Sequence, residues 1–248
     1  EGTGHKVLAL PGRDGKLTAE QVDEFCKSYY DDPTAEHMVR PGLVYLSQPT
    51  ELGTVYTREE LEAMRRVSDR WGMKLFVDGA RLACALAASD VKLTDLAQLC
   101  DVFYIGGTKC GAMFGEAVVI LNEELKTGFR HMIKRQGGMM AKGRLMGVQF
   151  AALLEDGLYF RLGQQMVDQA VRLRDGIRAL GYSLAVESPT NQQFPILPDR
   201  VLEKLKDKYS WSAKEKVDGE HTAVRFCTSW STKDEEIDAL LADLARLK

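Results

Sequence analysis

Short apolar runs alternate with amphipathic segments along most of this chain. His5–Leu10, Leu43–Leu46, Lys74–Val77, Asp101–Ile105 and Glu116–Leu121 are compact runs of strand length, and each is bounded by turn residues. Between them the pattern changes to helical spacing. Thr18-x-x-Gln21 and Thr57-x-x-Glu60 have the form of capping boxes that start helices, and Trp71-Gly72 supplies a glycine suited to a left-handed C-cap. A helical segment with Thr94, Asp95 and Leu96 near its start lies between the third and fourth runs. Asn122 is placed to cap a further helix reaching about Arg135.

Gln136-Gly137-Gly138 interrupts the alternation. From Ala141 to about Leu180 the chain reads as helix, broken near Asp156-Gly157 and ending at Gly181. Strands are expected at Ser183–Glu187, Gln193–Leu197, Ser212–Val217 and Ala223–Thr228, with helices near Pro198–Tyr209 and Thr232–Leu247. Strands alternating with helices predict an α/β fold with a mostly parallel sheet in a large domain, residues 1–158. A smaller α/β domain follows over residues 159–248. The chain opens on Glu1-Gly2-Thr3-Gly4 with no initiator methionine, which suggests that it begins part-way through a larger fold.

Composition narrows the function classes. Net charge is −3, so nothing points to a nucleic-acid or membrane partner, and no apolar run approaches the length of a spanning helix. The five cysteines form no CxxC pair, which fits reduced thiols in a cytoplasmic protein rather than a disulfide framework or a zinc site. The four histidines lack metal-ligand spacing.

The chemistry is concentrated in Lys74–Gly115. One strand runs into Asp78-Gly79-Ala80-Arg81 and the next into Gly106-Gly107-Thr108-Lys109. In an open parallel sheet such ends face one crevice, where ligands bind. A single Asp or Lys in a loop is usually a solvated charge; the order and placement of these two after successive strands set them apart. A lysine amine forms a Schiff base with a carbonyl, and an aspartate pairs with a protonated pyridine nitrogen. Together they describe a pyridoxal phosphate site.

FVDGARL, followed further on by YIGGTKCGAMFGEAVVI, resembles the threonine aldolase and β-eliminating lyase group of fold-type I pyridoxal phosphate enzymes. QPTELGTVYTREEL and TAVRFCTSW fit the same group. The resemblance implies pyridoxal 5'-phosphate as cofactor, Lys109 as the Schiff-base lysine and Asp78 as the partner of the ring nitrogen. It implies that Arg81 and Arg225 hold the substrate carboxylate, for which a planar guanidinium fork is suited. Thr108 is placed to meet the phosphate or ring oxygen, or else serves the turn. Lys142 or Arg135, beside the Gly137-Gly138 stretch, is placed to reach a neighbour's phosphate across a dimer interface, or to be a solvated charge.

Where many threonine aldolases carry a histidine that handles the β-hydroxyl proton, this sequence has Glu51, either a base that burial makes basic or a structural acid. The resemblance also implies an N-terminal portion before Glu1 that supplies the phosphate loop and a ring-stacking group. The expected function is cleavage of a β-hydroxy-α-amino acid to glycine and an aldehyde, in a homodimer or homotetramer. The alternatives are β-elimination or transamination on the same cofactor, or an inactive fragment of such an enzyme.

Overall fold

The computed structural model describes residues 3–248. In chain order the first elements are helix α1 (Ala19–Asp31), strand β1 (Leu43–Ser47), α2 (Arg58–Arg70), β2 (Lys74–Asp78), α3 (Leu82–Ala88), α4 (Leu93–Leu99), β3 (Val102–Gly106) and β4 (Glu116–Ile120). Strands β1, β2 and β3 are parallel neighbours and β4 closes the order antiparallel to β3. Both expected capping boxes form: Thr18 with Gln21 starts α1 and Thr57 with Glu60 starts α2. Gly72 takes a φ of 65°, the left-handed conformation that ends α2.

The sheet is asymmetric. Val44, Leu46, Leu75, Val77, Phe103 and Ile105 face a core built with residues of α1, α2, α3 and α7. The opposite face carries Leu43, Tyr45, Phe76, Tyr104 and Val118, with Leu43 and Tyr45 each 53 % exposed. Among the described residues only one face is deeply buried, so the burial follows the period-two alternation of the strand.

After β4 come α5 (Phe129–Arg135), α6 (Arg144–Leu154) and the long α7 (Leu158–Ala179). Asp156 and Gly157, at φ 50° and 70°, make the expected break between α6 and α7. A second sheet is formed by β5 (Gln192–Gln193), β6 (Ile196–Pro198), β7 (Ser212–Lys216) and β8 (His221–Cys227), with β8 pairing antiparallel to each of the others. Helices α8 (Asp199–Leu205) and α9 (Asp234–Leu247) accompany it. Two hydrophobic cores meet along α7. Tyr159, Met166 and Val167 belong to the first; Leu173 and Ile177 belong to the second, with Leu197, Val224 and Leu240.

Four expected elements differ. His5–Leu10 is not a strand: Val7 is 72 % exposed and, among the described residues, no strand pairs with this run. Ser183–Glu187 makes one isolated bridge, Leu184 to Pro195, and a proline opposite it has no N–H with which to extend a ladder. The same Pro195 divides the expected strand Gln193–Leu197 into β5 and β6. The helix expected from Asn122 to Arg135 is a single 3-10 turn, Glu123–Leu125, followed by α5, because Gly128 at φ 74° separates them. One helix was missed. Leu82–Ala88 (LACALAA) is apolar all round because it is buried on several sides, and Gly163 of α7 sits so close that a Cβ there would lie 2.4 Å from the Ala83 carbonyl oxygen.

Asp101 ties the sheet's lower end together. Its carboxylate accepts from the Leu75 N–H at 2.8 Å, the Arg65 guanidinium at 2.7 Å and the Asn122 amide at 2.7 Å. Burial works to raise its pKa, but these donors outweigh it and hold the group below the usual carboxylate range. A depressed folded-state pKa contributes stability above the ordinary carboxylate pKa, and that contribution is lost as pH falls through the depressed value. Asp101→Asn is therefore expected to lower stability by about 2–3 kcal/mol at neutral pH, and the difference should shrink in acid. Denaturant melts of both proteins across pH check this; a gap that widens on acidification would contradict it.

Candidate active site

Two turns at the upper ends of β2 and β3 form the centre of the site, and glycines bring them into contact. The Gly106 N–H donates to the Gly79 carbonyl at 2.9 Å. A Cβ on Gly79 would lie 2.0 Å from the Tyr104 carbonyl oxygen, and one on Gly106 would lie 2.4 Å from the carbonyl oxygens of Gly79 and Ala80. The glycines of DGAR and GGTK thus let one strand end rest on the other, which sets Asp78 and Lys109 on neighbouring turns.

Tyr159 fixes this contact from behind. It is fully buried at the start of α7. Its hydroxyl accepts from the Ala83 N–H at 3.1 Å and donates to the Gly106 carbonyl at 3.0 Å. One phenol therefore ties the helix that follows Arg81 to the turn that precedes Lys109. A lone tyrosine in an amphipathic helix carries no sequence signal for such a role.

Asp78 closes β2 on the open face of the sheet. Its carboxylate accepts from the Ala80 N–H at 2.9 Å and from the hydroxyls of Tyr45 and Tyr104. Lys109 and Thr108 are exposed on the neighbouring turn. Among the described residues the Lys109 amine has no ion-pair partner, although it lies near enough to Glu51 to help lower the latter's pKa.

The two arginines meet on one carboxylate. Arg81, just ahead of α3, reaches Glu51 Oε1 at 3.3 Å; Arg225, within β8, reaches Glu51 Oε2 at 3.2 Å. Their side chains are 11 % and 18 % exposed, whereas that of Glu51 is 69 % exposed. Arg225 is thus a largely buried cation on a central strand, rather than a solvated one at a strand edge. Burial would raise the Glu51 pKa, but Arg81, Arg225 and Lys109 reverse that and hold it below the usual value. The shift runs opposite to the one a basic carboxylate needs.

Gln192 supports the arrangement and was not singled out by sequence. It is fully buried; its amide oxygen accepts from Arg225 at 3.0 Å and its amide nitrogen donates to the Thr50 carbonyl at 3.1 Å. Thr190 donates to the Gly53 carbonyl at 2.9 Å. The buried polar run 188–193 thereby holds the loop that carries Glu51 against the second sheet. Lys142 lies apart, exposed in the turn before α6, and pairs with none of these residues; Arg135 is likewise exposed at the end of α5.

Chemically, these neighbouring turns and β8 offer an exposed amine, a carboxylate held by three donors and two guanidinium groups converging on a carboxylate. Known proteins are similar to this chain in sequence and fold. A family profile described as beta-eliminating lyase matches residues 2–199. The low specificity L-threonine aldolase of Pseudomonas sp. (strain NCIMB 10558) is 31 % identical over 245 residues, spanning 97 % of this chain and 68 % of that protein. The structure of Leishmania major threonine aldolase superposes with a TM-score of 0.95 at 43 % identity, over 99 % of this chain and 71 % of that one. Sphingomonas wittichii serine palmitoyltransferase, at 14 % identity and a TM-score of 0.61 over 93 % of this chain and 58 % of its own, shares the fold.

Proposed function

The chain belongs to the beta-eliminating lyase family, among pyridoxal 5'-phosphate-dependent lyases of the threonine aldolase kind, and from that premise we propose that it cleaves a β-hydroxy-α-amino acid to glycine and an aldehyde. The observation that carries the reading is the meeting of Arg81 and Arg225 on a single carboxylate beside Lys109.

The residues fit the cofactor by their chemistry. Lys109 supplies an amine free of any described partner for the aldehyde carbon. Asp78 supplies an acceptor for the ring N–H at the neighbouring strand end, and Thr108 is an exposed hydroxyl on the Lys109 turn. When bound, pyridoxal phosphate provides the electron-withdrawing ring that accommodates the electron pair left at Cα.

The chain's own groups do the rest. Glu51 fills the arginine clamp in the structure, and the substrate carboxylate takes its place, with one guanidinium from each sheet's side of the crevice fixing the orientation of Cα. Gln192 keeps Arg225 aimed while the exchange occurs. Glu51, displaced from both guanidinium groups, is the carboxylate placed to accept the β-hydroxyl proton. As that proton leaves, the β-oxygen becomes a carbonyl and the Cα–Cβ bond breaks. A proton returned to Cα, from Lys109 or water, completes glycine. The net change is one proton moved from the β-oxygen to Cα.

Supplying threonine to the loaded enzyme tests this. Glycine and acetaldehyde in equal amounts are expected; a keto acid with ammonia, or no product, overturns the aldolase reading.

We place the protein in the cytoplasm as a homodimer or homotetramer. The assembly reading draws support from exposed apolar side chains concentrated on and between α5 and α6, namely Met132, Met139, Met140, Leu145 and Val148, a patch of the kind interfaces cover. No helix among the described residues is long and apolar enough to cross a membrane.

A further inference from the structure

Three aromatic residues cross the open face of the first sheet just below the cofactor site. Tyr45, Phe76 and Tyr104 come from the parallel neighbours β1, β2 and β3. The Tyr45 and Phe76 rings stack with centroids 5.1 Å apart and planes 12° apart, and Phe76 lies 6.2 Å from Tyr104. Period-two alternation puts Phe76 and Asp78 on the same face of β2, so both flanking phenols point toward the strand end where Asp78 sits.

Their hydroxyls take opposite sides of that carboxylate. Tyr45 donates to Oδ2 and Tyr104 donates to Oδ1, which also accepts from the Ala80 N–H at 2.9 Å. An ionised carboxylate offers about four lone-pair sites. Three are filled by this chain, and one remains.

We propose that Tyr45 and Tyr104 are positioning residues for Asp78: clamped from both flanking strands, the carboxylate is left one acceptor site, aimed at the ring N–H of pyridoxal phosphate. This rests on the pairing of Asp78 with the ring nitrogen. Two further features suit the role. Burial, then the hydrogen bond to Asp78 and its charge, raise the pKa of both phenols, so they remain O–H donors throughout the working range. Phe76, wedged between them, limits the angles the rings can take and so the direction from which each hydroxyl approaches. Without the donors, the carboxylate is free to rotate about its Cβ–Cγ bond, and ring binding has to halt that motion.

A double-mutant cycle on cofactor affinity separates this from a packing role. Equilibrium dialysis against pyridoxal phosphate, carried to millimolar concentration, is applied to the wild type, Tyr104→Phe, Asp78→Asn and the double variant. Phe keeps the ring and removes only the hydroxyl. Tyr104→Phe is expected to weaken binding about tenfold in the wild-type background, the effect of one hydrogen bond to a charged group. In the Asp78→Asn background it should change binding by less than about twofold. Tyr45→Phe should show the same coupling. Equal weakening in both backgrounds, or none in the wild type, overturns the proposal. If Asp78→Asn alone leaves affinity unchanged, the pairing of Asp78 with the ring fails, and this inference fails with it.

Discussion

Lys109→Ala is expected to cut turnover by at least ~10³-fold while leaving the fold intact, because on the proposed reading it removes the covalent anchor of the cofactor. The lysine side chain is exposed and has no ion-pair partner among the described residues, so its loss empties no packed volume and strands no buried charge. Stability should therefore change by no more than ~0.5 kcal/mol. The contrast between lost activity and retained stability is the informative result. Steady-state kinetics and a denaturant melt on the same preparation give both numbers. A variant that keeps more than a tenth of wild-type turnover would remove Lys109 from the chemistry. One that loses activity and stability together would make it a structural residue.

Arg225→Ala is expected to act on binding. Each charge-assisted hydrogen bond to a carboxylate contributes about 1.5–3 kcal/mol, and the substrate carboxylate would lose one of its two guanidinium partners. The expected result is a KM for the amino acid raised by ~10²-fold, with kcat reduced much less. Arg225→Lys should rescue only part of this, because an ammonium cannot reproduce the planar fork that also holds Gln192. Arg225 is largely buried and its Nε has no partner among the described residues, so the variant's melting temperature should be followed alongside. Initial-rate kinetics over a wide substrate range decide the matter. A fall in kcat with KM unchanged would contradict a role in holding the carboxylate.

Local grammar carried much of the first sheet and its helices in the sequence. The threonine capping boxes, the glycine that ends α2 and the break at Asp156-Gly157 are decided by residues within one turn of each other, and they appear where expected. The placement of Asp78, Arg81 and Lys109 on neighbouring turns was legible for the same reason: each lies at or just beyond a strand end in a short motif. Elements whose fate depends on distant partners were not. Leu82–Ala88 shows no polar face because α7 covers it, and His5–Leu10 has the composition of a strand but no neighbour to pair with. Ser183–Glu187 is limited by the proline opposite it.

The same division applies within the site. Glu51 and Arg225 touch across 174 residues of sequence, and nothing near either one announces the other. Without that contact Glu51 reads as a candidate buried base; with it, the carboxylate is exposed and paired with two cations, and its part in proton transfer depends on the substrate carboxylate displacing it from them. Tyr159 and Gln192 are single polar residues in otherwise ordinary segments. Only the folded chain shows that the first joins the two motif turns and the second steadies an arginine.

The central claim is that Lys109 is the residue that holds pyridoxal phosphate. Borohydride reduction of the loaded protein followed by peptide mapping tests it most directly, because reduction makes the lysine–cofactor link permanent. The account predicts the cofactor on the peptide containing Gly106-Gly107-Thr108-Lys109, at Lys109, with one equivalent per chain. Cofactor recovered on another lysine, such as Lys142, or on none, would contradict it.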